Sequence, residues 1–409
     1  MKNKKLFGLL ALLLLALACA NPLTAPASQE PANVETMVAA TLSALTSVPA
    51  PSTPAVGDSP SSLLPRSIYY LANDAAQIPQ IFRMDKDGKT ITQLTFEPSK
   101  VEDYDVSPVD GSIVFLTNHQ LFLANADGSN RRMIFDAGPQ DEVNPFLTRI
   151  NSVVFSPNGQ TIAFGHKGLN FYSVASGQSN RVLDDIISTS NAGGGFVFPE
   201  ELYFPEMYSA DGSKLIITLG YYEGASSGIY YPNGGALVKL NNEQRGIICC
   251  GDYSLSNDGT TLYTASPTFG MFAAGLWQVD TNSGNVKTLL IGDFDNNPAE
   301  VADNPFIAPD GQLYYFYASV PNTGDIVNRP PLQLVRSAAD GVTGRTVVRP
   351  ETFTTMNEAL WAPDGSFVIV ANAQNEQIFF GGAAQLYYTD SQKAMISLIP
   401  FAQSMKWGP

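Results

Sequence analysis

The chain has 409 residues, 44% hydrophobic and 15% charged, with a formal net charge of -15 at pH 7. That balance supports a sizeable core and excludes a wholly disordered chain. Acidity of this order repels phosphate backbones and excludes nucleic acid as a partner, while 34 glycines and 28 prolines, many in short recurring turns, argue against long helices.

Residues 1–18 read as an export signal. Met1-Lys-Asn-Lys-Lys5 is basic, and Leu6 to Leu17 is apolar apart from one Gly. This stretch is too short for a permanent membrane span. It ends Leu15-Ala16-Leu17-Ala18-Cys19, which resembles the bacterial lipobox, in which the Cys becomes a diacylated N-terminus. The resemblance implies lipidation at Cys19; the alternative is ordinary cleavage at an A-x-A-like site, with Cys19 incidental. Cleavage would remove Lys2, Lys4 and Lys5 and take the net charge from -15 to -18.

Residues 19–64 are rich in Pro, Ser, Thr and Ala, a composition of tethers that cannot build a core. Within them Glu35 to Leu45 is helix-competent, with Val34, Met37, Val38, Leu42 and Leu45 on one face.

From residue 65 onward the chain repeats itself. Ser107-Pro-Val-Asp-Gly111, Ser156-Pro-Asn-Gly159, Ser209-Ala-Asp-Gly212, Ser256-Asn-Asp-Gly259, Ala308-Pro-Asp-Gly311 and Ala362-Pro-Asp-Gly365 place their glycines 48, 53, 47, 52 and 54 residues apart. A large apolar residue precedes each motif (Val106, Phe155, Tyr208, Leu255, Ile307, Trp361), and an apolar strand follows. Third strands (Leu121–Ala124, Leu169–Tyr172, Leu237–Leu240, Leu276–Val279, Leu332–Val335, Leu386–Thr389) and fourth strands (among them Arg132–Phe135, Gly246–Ile248 and Met395–Ile399) complete each unit. Four antiparallel strands at a period near fifty are propeller blades.

Three strands precede the first motif, and the chain closes on Met405-Lys-Trp407-Gly-Pro409, a lone innermost-strand signature. The expected fold is therefore all-β, a seven-bladed propeller over residues 65–409 whose C-terminal strand completes the first blade and removes exposed edges. Trp361-Ala-Pro-Asp-Gly365 and its Ser-Pro-(Asn/Asp)-Gly copies resemble the TolB-type propeller repeat, a relative of WD-type repeats. The resemblance implies the fold and leaves function open, since such propellers host many roles. Residues 20–64 leave no room for the α/β domain that accompanies the propeller in TolB.

Chemical motifs are few. Gly224-Ala-Ser226-Ser-Gly228 matches G-x-S-x-G, but the expected context is a loop within one blade, not a strand-to-helix turn. His119 and His166 are expected as surface turn residues, too few for a metal site. Asp293-Phe-Asp295-Asn-Asn297 starts like a calcium loop, with Pro298 where Gly is required and Asn304 where Glu closes the loop; an irregular Ca²⁺ site using Asp293, Asp295, Glu300 or Asp303 is the alternative to a solvated loop. Cys249 and Cys250 form either a vicinal disulfide or two buried thiols. Nothing here calls for a cofactor or a metal.

In such blades the loops joining strands two and three share one face with the links between blades. These are the long ones: Asp184–Leu202, Gly220–Ala236, Ser266–Gly275, Ile291–Asn304, Ala318–Pro331 and Asn372–Gln385. Ligand binding is expected there, through Tyr221, Tyr222, Tyr230, Tyr231, Phe269, Phe272, Phe379 and Phe380; the alternative is that these rings pack among themselves. The expected function is a non-enzymatic binding or scaffold propeller, extracytoplasmic and held to the membrane by its lipid alone. Its partner would be a protein, peptide or glycan. The alternative is a hydrolase or lyase acting on a polysaccharide or peptide, which converging carboxylates such as Glu200 or Glu201 with Glu206 would favour.

Overall fold

The computed structural model describes residues 62–191, 195–242, 246–247, 252–267, 274–292, 297–321 and 329–409. Cys19 with the signal and tether up to residue 61, Cys249 and Cys250, Phe269 and Phe272, and Asp293 and Asp295 lie outside the described residues. No helix among those described is long and apolar enough to cross a membrane.

Six hydrogen-bonded sheets carry seven blades, because one seven-stranded sheet holds two blades joined through the C-terminal strand. That strand, Ile396–Trp407, first pairs as the outermost strand of blade 7 (Leu386 opposite Ile396). It then becomes the innermost strand of blade 1, setting Trp407 opposite Ile68 and Lys406 opposite Tyr69. The two strands expected here are thus one continuous strand, with a register shift near the positive-φ Ser404.

Successive strand residues face opposite sides, so each blade feeds two neighbouring cores. In blade 1, Ile68 and Tyr70 face blade 7, whereas Tyr69 and Leu71 face blade 2. Seven apolar clusters result among the described residues, one per blade interface. A ring of seven blades has seven interfaces, so the core itself records closure.

The repeated motif has a local cause. Its six glycines sit at φ between 67° and 82°, a left-handed conformation costly for any other residue. The preceding Asp or Asn side chain accepts the amide two residues on, as Asp211 does from Ser213 (3.0 Å) and Asp364 from Ser366 (3.0 Å). These turns form one face of the ring. The described chain also enters on that face: Leu64 is buried, and its amide bonds Lys86 O (3.0 Å) beside a blade 1 turn.

Inner strands are stapled to one another by side chains. Asp103 and Asp105 accept the amides of Val153 (3.0 Å) and Phe155 (2.6 Å), and Ser254 accepts that of Ile307 (3.0 Å). Trp361 Nε1 donates to Asn304 O (3.1 Å), and Trp407 Nε1 donates to Trp361 O (2.7 Å).

Blade 4 departs from the sequence expectation. Its third strand is Gly224–Tyr231, and Leu237–Leu240 belongs to the fourth, Ala236–Asn242. Gly220–Ala236 is therefore a hairpin rather than a loop. It turns at Tyr222-Glu223 with Glu223 at φ 57°, without the Asn-Gly or Asp-Gly that marks such turns. Asp184–Leu202 is likewise mostly strand: Ile186–Asn191 pairs with the start of a long inner strand, Val197–Tyr208.

Candidate functional site on the loop face

Strand placement sorts the eight expected binding aromatics. Tyr230 is 2% exposed and belongs to the core between blades 3 and 4, so its ring is unavailable to a ligand. Tyr231 is half-buried, and its hydroxyl donates to Thr281 O. Tyr221, also half-buried, donates to Ala225 O (3.1 Å) across the turn. Tyr222 is 48% exposed but meets Phe198 edge-on at 4.7 Å, within a cluster that includes Phe196 and Phe146. Phe379 and Phe380 stand out at 65% and 58% exposed.

Phe379 overhangs a cavity of about 240 Å³ at the loop-face ends of blades 5 to 7. Its ring covers the Arg329 guanidinium at 4.4 Å. Arg329 Nη2 donates to Asn357 Oδ1 (2.7 Å) and Ile378 O (2.6 Å), and the Asn357 amide donates to Ile378 O (3.2 Å) and Gly381 O (2.7 Å). Arginine and asparagine thereby fix the loop that carries Phe379.

Asp252 and Asp303 line the same cavity. They stand on the inner strands of blades 5 and 6, close enough for each carboxyl to act on the other. Burial pushes Asp252 well above the usual carboxylate range, and the neighbouring Asp303 charge adds to it. Asp303 is also raised by burial, with bonds from Asp252 and the Asn304 amide (2.9 Å) opposing. Ionising both carboxyls of such a pair at once is disfavoured.

Further buried carboxylates stand on the inner strands of blades 2, 4 and 7. Burial raises Asp103, Glu358 and Glu206, the last to about 7, with the charges of Asp103 and Asp252 adding to Glu206. Burial alone would lower Lys406, but Asp105 and Asp103 outweigh it and raise the ammonium. Lys406 bonds Asp105 at 2.9 Å, so Asp105, Lys406 and Glu358 serve ring closure. The acid pair that the enzymatic alternative sought does not form: Glu201 bonds Lys239 and Tyr203, Glu200 is exposed, and Glu206 lies among Thr218, Asp103, Lys406 and Asp252 instead.

Other candidates resolve plainly. Ser226 is 8% exposed within a strand, opposite Leu219, with no nucleophile elbow around it. His166 is buried rather than a surface turn residue; it packs edge-on to Phe135 at 5.1 Å, and burial lowers it. His119 occupies a tight turn at φ 62°. Glu300 bonds Arg345 (3.0 Å) and Tyr317 (2.8 Å).

Topology and site define a seven-bladed β-propeller with an acid pair and an arginine–phenylalanine clamp at one loop-face cavity. The chain matches no family model and no curated protein. Among solved structures it is similar to an oligogalacturonate lyase in complex with manganese, at 10% identity and a TM-score of 0.51 over 81% of this chain and 84% of that one. TolB from Acinetobacter baumannii is also similar, at 12% identity and a TM-score of 0.43 over 84% and 67%. A putative TolB from Agrobacterium tumefaciens shares 15% identity, with a TM-score of 0.39 over 76% and 99%. The TolB-type propellers that the repeat resembles are thus among its structural neighbours. At these identities the likeness shows the fold alone.

Proposed function

We propose that this chain is an extracytoplasmic, lipid-anchored recognition propeller that binds a protein, peptide or glycan ligand at its loop face without transforming it. The observation that carries this reading is the exposed Phe379 at the Arg329 cavity, with the similarly exposed Phe380 next to it in the chain. The chain enters the ring on the opposite face.

Two measurements test it. Cys19→Ala is expected to move the protein from the membrane to the soluble fraction with the propeller's melting unchanged. Membrane retention of this variant would sink the anchor. Phe379→Ala with Phe380→Ala is expected to cut binding on peptide and glycan arrays at least tenfold, while melting shifts little because both rings are exposed. Tyr231 is unsuited to that test, since its hydroxyl ties blade 4 to blade 5. Binding that survives the phenylalanine change but fails for Val109→Asp, on the short-turn face, would reverse the assignment.

The Asp252–Asp303 pair favours one second reading, a hydrolase or lyase acting on a polysaccharide or peptide. There the protonated partner would be a general acid and the other a base. Hydrolysis or elimination products that vanish in Asp252→Asn would establish it.

A further inference from the structure

Charge placement around the loop-face cavity is more specific than surface recognition requires. Arg329 has no ion pair among the described residues; its strong partners are the neutral oxygens of Asn357 and Ile378, with the Phe379 ring alongside. Glu376 acts on it only from beyond ion-pair distance. Nη1 makes one long contact, to Met356 O at 3.4 Å, and keeps donor capacity for an incoming anion. The same cavity is lined by Asp252 and Asp303, two neighbouring carboxyls whose proximity and burial disfavour ionising both at once. An arriving ammonium would stabilise both carboxylates as anions and release a proton; a neutral hydroxyl would not. The rest of the lining is mixed, with the apolar Leu332, Phe353 and Met356 beside the polar Ser266, Thr354 and Asn357.

We infer that this cavity takes a small zwitterionic ligand, a free amino acid or short peptide, with its ammonium on the Asp252–Asp303 pair and its carboxylate on Arg329. The inference rests on the loop-face reading above and gives that site its ligand class. Asp252 belongs to blade 5, Asp303 and Arg329 to blade 6, and Arg329 is itself bonded to Asn357 and Ile378 of blade 7, so the cavity draws on three neighbouring blades.

The test is calorimetric titration of the full chain at about pH 6 with glycyl-L-phenylalanine, its N-acetyl form, its C-terminal amide and D-glucuronate. Two buffers of different ionisation enthalpy report proton release. The free dipeptide is expected to bind with release of a proton, and capping either end should weaken it at least tenfold. Asp252→Asn should abolish the proton release; Asp303→Asn serves if the first variant loses its melting transition. N-acetyl dipeptide or glucuronate binding as well as the free dipeptide, still weakened by Phe379→Ala, would overturn the zwitterion and leave the loop-face reading intact. No binding by any probe, with array binding still sensitive to Phe379 and Phe380, would overturn the zwitterion alone. Arrays insensitive to those rings would remove both.

Discussion

Deleting Gln403–Pro409 is expected to abolish the parent melting transition and drive the chain into oligomers. The deletion removes the innermost strand of blade 1 and leaves Ile68–Leu71 an open edge, a template for pairing with other chains. It also strips partners from groups that stay buried. Glu358 loses the amides of Ser404 (2.7 Å) and Met405, Asp105 loses Lys406 (2.9 Å), and the Tyr104 hydroxyl loses Ser404 O (2.6 Å). Stranding one buried charge typically costs about 3–5 kcal/mol. Losing Met405 and the half-buried Trp407 from the blade 7/blade 1 core adds about 2–4 kcal/mol. Domains are stable by only about 5–15 kcal/mol, so these losses consume most of the margin. Circular dichroism melting and size-exclusion chromatography read the outcome. A monomer that melts at the parent temperature would disprove closure by this strand.

Glu206→Gln is expected to stabilise the propeller above neutral pH and to change little near pH 4.5. Burial raises Glu206 to about 7, with the Asp103 and Asp252 charges adding and Thr218 and Lys406 opposing. In the unfolded chain the same group titrates near its ordinary value of 4.5. As pH rises through that window, the unfolded chain gives up the proton while the folded chain retains it. Stability therefore falls until pH passes about 7, then levels. Discounted for solvent screening, the loss is about 1–3 kcal/mol. Glutamine keeps the shape without the charge. Its melting point should exceed the parent's by roughly 2–6 °C at about pH 8 and converge with it at low pH. An equal difference at both pH values would remove the titration argument.

The blades were legible in sequence because their signals are local. Each motif needs only a left-handed glycine, an Asp or Asn that accepts the next-but-one amide, and an apolar strand of period two. Those requirements recur wherever the same turn recurs. The C-terminal Trp407 was legible for the same reason, as a copy of the Trp361 context without a motif behind it. The hairpin at Tyr222-Glu223 was hidden because its positive φ is borne by a glutamate, and Ser226-Ser227-Gly228 lacks the β-branched residues that mark a strand.

The functional constellation obeys another logic. Asp252 and Asp303 are 51 residues apart in sequence and meet only because blades 5 and 6 set their inner strands side by side. A faint signal existed: Asp103, Asp252, Asp303 and Glu358 all stand seven or eight residues before a motif glycine. That spacing places a carboxylate on an inner strand but cannot distinguish a staple such as Asp103, a closure clamp such as Glu358, and a neighbouring pair. Burial and the neighbouring blade decide among them. By itself the sequence determined the repeat, the blade count and the closing strand, since backbone turns and strand periodicity act over a few residues. Only the tertiary structure decided that Tyr230 is core, that Phe379 covers Arg329, and that Asp252 and Asp303 become neighbours. Those outcomes depend on which blades a closed ring makes neighbours.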